Sequence, residues 1–161
     1  MITLYSMNLL LTPNKYNINY VYYNDSIKNT VIDNSNFIKI MFSNNDLYLN
    51  GIYLLVDLEN VSLEKYYNKY KCIINEDNIN NKNIFQFMYK LEHEILHKYN
   101  NTKNKKLIIT NQLKQNNIKL FIENKNIKET KYPKLQFCLK ISGIWEKNDE
   151  IGLTYKFTII C

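Results

Sequence analysis

The C-terminal part of this sequence alternates apolar and polar side chains over two runs separated by a short polar segment. Residues 135–145 read LQFCLKISGIW, and residues 151–160 read IGLTYKFTII. Because side chains with a period of two lie on opposite faces of a β-strand, each run predicts a strand with one buried face. Together they predict a hairpin at about 135–160, with a polar turn between its strands and a β-bulge at Gly143.

Segments rich in β-branched and aromatic residues recur through the rest of the chain, and they predict further strands. Residues 47–56 are apolar on both faces, which is typical of a central strand, and Gly51 is a candidate bulge within them. The other segments with this composition are residues 2–11, 16–23, 36–43, 65–74, 107–110 and 117–122.

One segment has the period of an α-helix instead. Five apolar residues fall on a single helical stripe, so one helix is predicted at about 84–98. Several strands, one helix and a closing hairpin are typical of a small OB-like barrel, and a β-sandwich with a crossover helix fits the same order. The fold class is therefore predicted as mainly β with one helix. The stripe consists of Ile84, Phe87, Met88, Leu91 and Ile95.

The length of 161 residues and the hydrophobic content of 45% predict a single globular domain over residues 1–161. The formal net charge is +6, and residues 98–140 hold 11 Lys against 2 acidic residues. A basic block of this kind is typical of a phosphate-binding surface. The chain also contains 27 Asn but no Arg and no Ala. This skew is typical of an AT-rich coding sequence, which is a second explanation for the abundance of Lys.

Three further features predict the location of the protein. No apolar run reaches the roughly 18 residues that a membrane-spanning helix needs. The N-terminal segment has neither a basic region nor a small-residue cleavage site, so no signal peptide is expected. Cys72, Cys138 and Cys161 are too far apart for a typical disulfide or zinc pattern, and free thiols in or beside the core are expected. A cytoplasmic protein is predicted.

The sharpest motif for catalysis is H-E-x-x-H at residues 93–97. In zinc peptidases this spacing puts two imidazoles one helical turn apart, beside a Glu that activates the metal-bound water. A zinc-dependent hydrolase that uses His93, Glu94 and His97 is therefore one alternative. Two observations oppose it: both His point away from the apolar stripe, and no further His follows as a third ligand. We therefore predict no catalytic residue, no metal site and no cofactor.

Lysine and aromatic residues share the predicted outward faces of several strands. Unpaired bases stack on aromatic rings while ammonium groups contact phosphates, so this combination is typical of proteins that bind single-stranded nucleic acid. The lack of Arg and of a recognition-helix pattern argues against the reading of a duplex. The candidate nucleic-acid-binding residues are Phe37, Lys39, Tyr67, Lys69, Lys71, Lys119, Phe121, Lys140, Trp145 and Lys156.

Residues 139–157, LKISGIWEKNDEIGLTYKF, resemble the terminal hairpin of a family of small β-barrel proteins. These are the OB-fold single-stranded DNA-binding proteins of large nucleocytoplasmic DNA viruses and of the cytoplasmic linear killer plasmids of yeasts. Residues 142–146 and 152–157 carry the likeness, and a weaker one covers residues 50–57, NGIYLLVD. The resemblance implies a replication protein that coats exposed single strands in the cytoplasm.

The sequence thus predicts a non-enzymatic protein that binds single-stranded DNA without sequence preference during DNA replication. RNA remains an alternative ligand, and replication proteins or a second copy of the chain are candidate partners. A third alternative, beside the zinc hydrolase, is a structural or assembly subunit whose exposed strand edges pair with a partner. No membrane partner is expected.

Overall fold

The computed structural model describes residues 10–120 and 127–160. Within them, ten strands and two helices form the regular structure, together with short 3-10 turns at Pro13–Lys15 and Ile18–Tyr20. The strands are β1 (Val21–Tyr23), β2 (Ile27–Lys28), β3 (Asn36–Ser43), β4 (Tyr48–Leu49), β5 (Ile52–Tyr66), β6 (Lys69–Ile74), β7 (Asn104–Lys106), β8 (Asn117–Leu120), β9 (Lys131–Lys147) and β10 (Glu150–Ile160). The helices are α1 (Ile79–Tyr99) and α2 (Ile108–Lys114).

The long strand β9 has neighbours on both edges and organises the sheet. β10 pairs with one edge in an antiparallel hairpin. The opposite edge pairs with β5 up to Ile141 and with β3 from Gly143 onward. β6 and β8 extend the sheet beyond β5, while β1, β2 and β4 pair with β3, and β7 adds a parallel strand beside β10. Over the described residues, the result is one open, mainly antiparallel sheet.

The core lies between one face of this sheet and the helices. Along the hairpin, Phe137, Leu139 and Ile141 on β9 are buried in one cluster with Ile151 and Leu153 on β10. Burial of each large apolar side chain stabilises the fold by about 1.5–3 kcal/mol. The buried apolar residues of α1 are Met88, Leu91, Ile95 and Leu96.

The helix α1 begins at Ile79, five residues before the predicted start at residue 84. The apolar stripe did not predict these residues because the first turn of the helix is largely polar. Asn78 caps the helix by accepting a hydrogen bond from the backbone N–H of Asn81 over 3.0 Å. The buried side chain of Asn81 accepts a hydrogen bond from the backbone N–H of Glu59 at 2.9 Å. It also donates a hydrogen bond to the backbone carbonyl of Glu59 at 2.7 Å. Asn81 therefore ties the first turn to β5 without contributing to the apolar pattern.

The prediction of a single helix is wrong, because a second helix, α2, begins at Ile108, within the segment 107–110 that was predicted as a strand. The carboxylate of Glu92 on α1 accepts hydrogen bonds from the backbone N–H groups of Ile109 and Thr110, at 2.9 and 2.8 Å. The first N–H groups of a helix lack partners inside it, and a carboxylate satisfies them while it interacts with the positive end of the helix dipole. This tertiary contact overrides the strand propensity of the segment.

The prediction of a mainly β protein is confirmed, but a closed OB-like barrel is not formed by the described strands. The sandwich alternative is not found either, since these strands belong to one sheet. The C-terminal hairpin is present as β9 and β10. Among the described residues, neither helix is long and apolar enough to cross a membrane.

Local features of the predicted strands also differ. Gly51 is not a bulge but separates β4 from β5, with a φ of +107° that favours glycine. Residues 65–74 are interrupted by the turn between β5 and β6, and only Val21–Tyr23 of residues 16–23 form a strand. The predicted strand residues 2–9, 121 and 122 lie outside the described residues.

Candidate nucleic-acid interface

A β-bulge in β9 decides which face of the sheet Trp145 occupies. Lys140 points away from the core, and regular alternation would put Trp145, five positions later, on the buried face. However, Thr154 pairs with Gly143 while Tyr155 pairs with Ile141, so Ser142 is an extra residue. The bulge shifts the alternation by one position and puts Trp145 on the same face as Lys140. The sequence predicted this bulge one residue away, at Gly143.

Two aromatic rings lie on this outer face, which is opposite the helices. Phe37 on β3 is the direct cross-strand partner of Trp145 on β9, and both side chains are half-buried. Each ring lies against a glycine of a neighbouring strand: a Cβ atom on Gly143 would be 2.6 Å from Cε2 of Phe37, and one on Gly152 would be 2.5 Å from Cζ2 of Trp145. The two glycines therefore provide the space in which the rings contact the sheet.

Lysines border these rings on the same face. Lys140 is the cross-strand partner of Tyr53 on β5 and of Lys156 on β10. Its Nζ lies 5.5 Å from the centroid of the Tyr53 ring, which is a cation–π distance. Lys39 is exposed on β3, opposite Gly143. We term the following set the lysine-aromatic face: Phe37, Lys39, Tyr53, Lys140, Trp145 and Lys156.

Cys138, which is paired with Thr158 on β10, lies near two lysines of this face. Burial raises the pKa of the Cys138 thiol, while a hydrogen bond with Thr158 and the positive charges of Lys140 and Lys156 lower it. Two ammonium groups on neighbouring strands thus act on the same thiol. Burial also raises the pKa of Cys72 to about 12. The predicted free thiols are confirmed for Cys72 and Cys138, and Cys161 lies outside the described residues.

Four of the predicted site residues belong to a separate group at the far end of β5. Tyr67 is 84% exposed in the turn after β5, and Lys71 on β6 forms an ion pair of 3.7 Å with Glu64. About 40 Å of strand, at roughly 3.3 Å per residue, separates Tyr53 from this turn. These residues therefore lie apart from Trp145 rather than beside it. The group consists of Tyr67, Lys69, Lys71 and Lys119, and the remaining predicted residue, Phe121, lies outside the described residues.

The basic block at residues 98–140 does not form one surface either, because several of its lysines have partners within the chain. Lys98 donates hydrogen bonds from Nζ to the carbonyls of Ile18 and Val21, at 2.9 and 2.7 Å. Three other lysines of the block form ion pairs with acidic residues. The number of lysines in the block is therefore larger than the number of positive charges available to a ligand. The ion pairs are Lys103–Glu146 (3.2 Å), Lys106–Glu150 (2.9 Å) and Lys134–Asp57 (3.5 Å).

Sequence reasoning missed Tyr53. Residues 47–56 are apolar on both faces, so their composition does not say which side chains point outward. In the structure Ile52, Leu54 and Val56 are buried, and Tyr53 lies between them on the opposite face. The alternation of aliphatic residues after Gly51 was the available signal.

The two residues of the H-E-x-x-H motif that bind metal in zinc peptidases lie on the exposed side of α1. The ring centroids of His93 and His97 are 5.8 Å apart, with 11° between the ring planes. Glu94 is turned toward a different side of the helix, where it pairs with Lys90 at 3.7 Å. There, burial and then the charge of Glu94 raise the pKa of the half-buried Tyr16. Within the described residues, no three His, Cys, Asp or Glu side chains are grouped so that they could hold a metal ion. The geometry thus does not favour zinc-dependent hydrolysis.

Comparison with protein-family models, with curated proteins and with solved structures finds no match for this chain. Function is therefore inferred from the lysine-aromatic face and from the chemistry of its side chains. The resemblance of residues 139–157 to single-stranded DNA-binding proteins stays a prediction.

Proposed function

We propose that this protein binds single-stranded DNA without sequence preference across the lysine-aromatic face. The observation that carries the proposal is the cross-strand placement of Phe37 and Trp145 beside Lys39 and Lys140. Unpaired bases stack on aromatic side chains with about 1–3 kcal/mol per base, and ammonium groups contact the phosphates between them. Because every base has a π face, stacking of this kind tolerates any sequence.

An open sheet is sufficient for this mode of binding. RNA-recognition domains stack bases on aromatic residues of an open four-stranded sheet, and OB-type barrels use the surface of a curved one. The OB-like architecture that the resemblance implies is thus one way to present these residues, and the proposal does not require closure of the barrel.

The residues of the resemblance are also residues of the proposed interface. Gly143, Trp145 and Gly152 belong to residues 142–146 and 152–157. Gly152 lies against the ring of Trp145, and Gly143 lies against the ring of Phe37. This coincidence supports the further proposal that the protein coats exposed strands during DNA replication, as the family does. It also gives a reason why two of the three glycines in the chain lie in this hairpin.

The proposal is tested by fluorescence anisotropy with labelled oligo(dT), oligo(rU) and a duplex of equal length, each at two salt concentrations. We expect oligo(dT) to bind more tightly than the duplex, with an affinity that falls as salt rises. Trp145→Ala should weaken oligo(dT) binding roughly 5- to 150-fold, the equivalent of about 1–3 kcal/mol for one stacked base.

The matched control is Tyr89→Ala, which removes an aromatic ring that is 49% exposed on α1, away from the sheet. It should leave binding unchanged. Equal binding of single strands and duplex, or equal losses in both variants, would reject the proposal. A protein that binds none of the three nucleic acids but elutes in a defined complex would favour the assembly-subunit alternative.

A further inference from the structure

The exposed side of α1 carries a column of three rings that the proposed DNA interface does not use. Tyr89, His93 and His97 follow one another at intervals of one helical turn, with ring centroids 6.1 and 5.8 Å apart. The two imidazoles are nearly parallel and are the only histidines in the chain. Both are exposed, so neither serves the core.

This spacing is suited to chelation by two nitrogen atoms. Side chains four residues apart on a helix are neighbours, and a metal such as zinc binds imidazole nitrogen at about 2.0–2.1 Å. Because both bonds end at the same metal ion, one ring nitrogen of His93 and one of His97 must come within about 3–4 Å of each other. Rings whose centroids are 5.8 Å apart reach this geometry by tilting toward each other at their outer ends, and exposed side chains can rotate in this way.

The charged neighbours of the pair leave the outer ends of the imidazoles accessible. Lys90 and Glu94 pair with each other at 3.7 Å. Lys98 is directed toward the carbonyls of Ile18 and Val21. Neither the Lys90 nor the Lys98 ammonium group is therefore held between the two imidazole rings.

We propose that His93 and His97 form a two-imidazole site for a divalent transition metal ion, with the remaining coordination positions occupied by water. Imidazole ligands suit Ni²⁺, Cu²⁺ and Zn²⁺, and the order of affinities places Cu²⁺ highest. The site binds a metal but does not prepare it for hydrolysis, because Glu94 faces Lys90 and Tyr16 instead. It is independent of the DNA interface, which lies on the sheet face opposite the helices.

The test is a calorimetric titration of the full chain with Ni²⁺ alone, in a buffer that does not bind metal. We expect one Ni²⁺ per wild-type chain and an affinity at least about tenfold lower in His97→Gln, because the second nitrogen acts at a high effective concentration. The double variant Tyr89→His/His97→Gln restores the four-residue spacing one turn earlier and should recover the affinity. Gln86→His/His97→Gln also contains two histidines, but at a spacing of seven residues, and should not.

A second measurement uses the unmodified protein. Paramagnetic Ni²⁺ should broaden the ring C–H signals of both histidines in the NMR spectrum before other signals change. Broadening that spares these rings, Ni²⁺ binding that is equal in the wild type and His97→Gln, or equal recovery in the two double variants would overturn the proposal.

Discussion

The indole of Trp145 lies against the backbone of Gly152, so closely that a Cβ atom at position 152 would come within 2.5 Å of its Cζ2 atom. The two residues are cross-strand partners in the β9–β10 hairpin. Because glycine has no side chain, the ring occupies the space above the adjacent strand while it remains half-exposed. This contact sets the position of the only Trp in the chain on the lysine-aromatic face.

Gly152→Ala is expected to displace the indole and to reduce both stability and DNA binding. Inserting a methyl group into an occupied space typically costs about 1–3 kcal/mol. Urea unfolding and titration with oligo(dT) measure the two effects, and the intrinsic Trp fluorescence reports the displacement directly. The control is Tyr89→Ala on α1, away from the sheet, which should change none of the three. Unaltered fluorescence and affinity in Gly152→Ala would contradict the role assigned to this contact.

Lys39→Gln should reduce the salt dependence of oligo(dT) binding. If the Lys39 ammonium contacts one phosphate, the slope of log K against log salt becomes less steep by about 0.7, the value for a single strand. The affinity is measured at four or more salt concentrations. Lys114→Gln, which removes an exposed lysine from α2, is the matched control and should preserve the slope. Identical slopes in the two variants would exclude Lys39 from the interface.

Glu92→Ala is expected to destabilise the protein strongly and to unravel the start of α2. The fully buried carboxylate accepts hydrogen bonds from Ile109 and Thr110, and its loss leaves their N–H groups buried without a partner. The cost is expected to be about 3 kcal/mol in the free energy of unfolding. Glu94→Ala, which breaks a surface ion pair, should cost less than about 1 kcal/mol. Equal losses would show that the buried carboxylate has no special role.

The stability of the wild type should decrease with rising pH relative to Glu92→Gln. Burial raises the pKa of Glu92 above its ordinary value of 4.5, against the opposing effect of hydrogen bonds from Thr110 and Ile109. The native state therefore holds this proton more tightly than the unfolded chain does. The resulting stability is fully present below about pH 4.5 and is lost as the pH rises through the raised pKa. Urea unfolding of both proteins between about pH 4 and 8 should show that the free energy of unfolding of the wild type falls relative to that of Glu92→Gln as the pH rises. A difference that is constant with pH would refute the raised pKa.

Lys98→Met should weaken the fold while leaving DNA binding intact. Its Nζ donates hydrogen bonds to the carbonyls of Ile18 and Val21, and their loss is expected to cost about 1 kcal/mol. Methionine keeps the length of the side chain, so packing along the stem is retained. Urea unfolding measures the cost, and Lys90→Met serves as the surface control. A loss of oligo(dT) affinity with unchanged stability would contradict this role. It would indicate that Lys98 contacts DNA, as the basic block of the sequence predicted.

The period of the apolar residues was sufficient to predict the hairpin β9–β10 and the central part of α1. In both, side chains of one type recur at the spacing of the element, and burial of that face is the main source of its stability. The same reasoning failed for α2, because residues 107–110 have strand propensity and their helical state depends on the carboxylate of Glu92. It also failed for the first turn of α1, where the buried Asn81 makes hydrogen bonds in place of apolar contacts.

For the candidate site too, the local sequence predicted some features and the tertiary structure decided the others. The local pattern predicted that Phe37, Lys39, Lys140 and Lys156 point outward, since alternation within a strand depends only on neighbouring residues. Which of the predicted residues share a surface depends on strand pairing, which joins segments that are distant in sequence. Pairing put Phe37 beside Trp145, added Tyr53, and left Tyr67 and Lys71 at the far end of β5. Ion pairs formed in the tertiary structure likewise decided which lysines of the basic block face a ligand, because charge in a sequence carries no information about its partners.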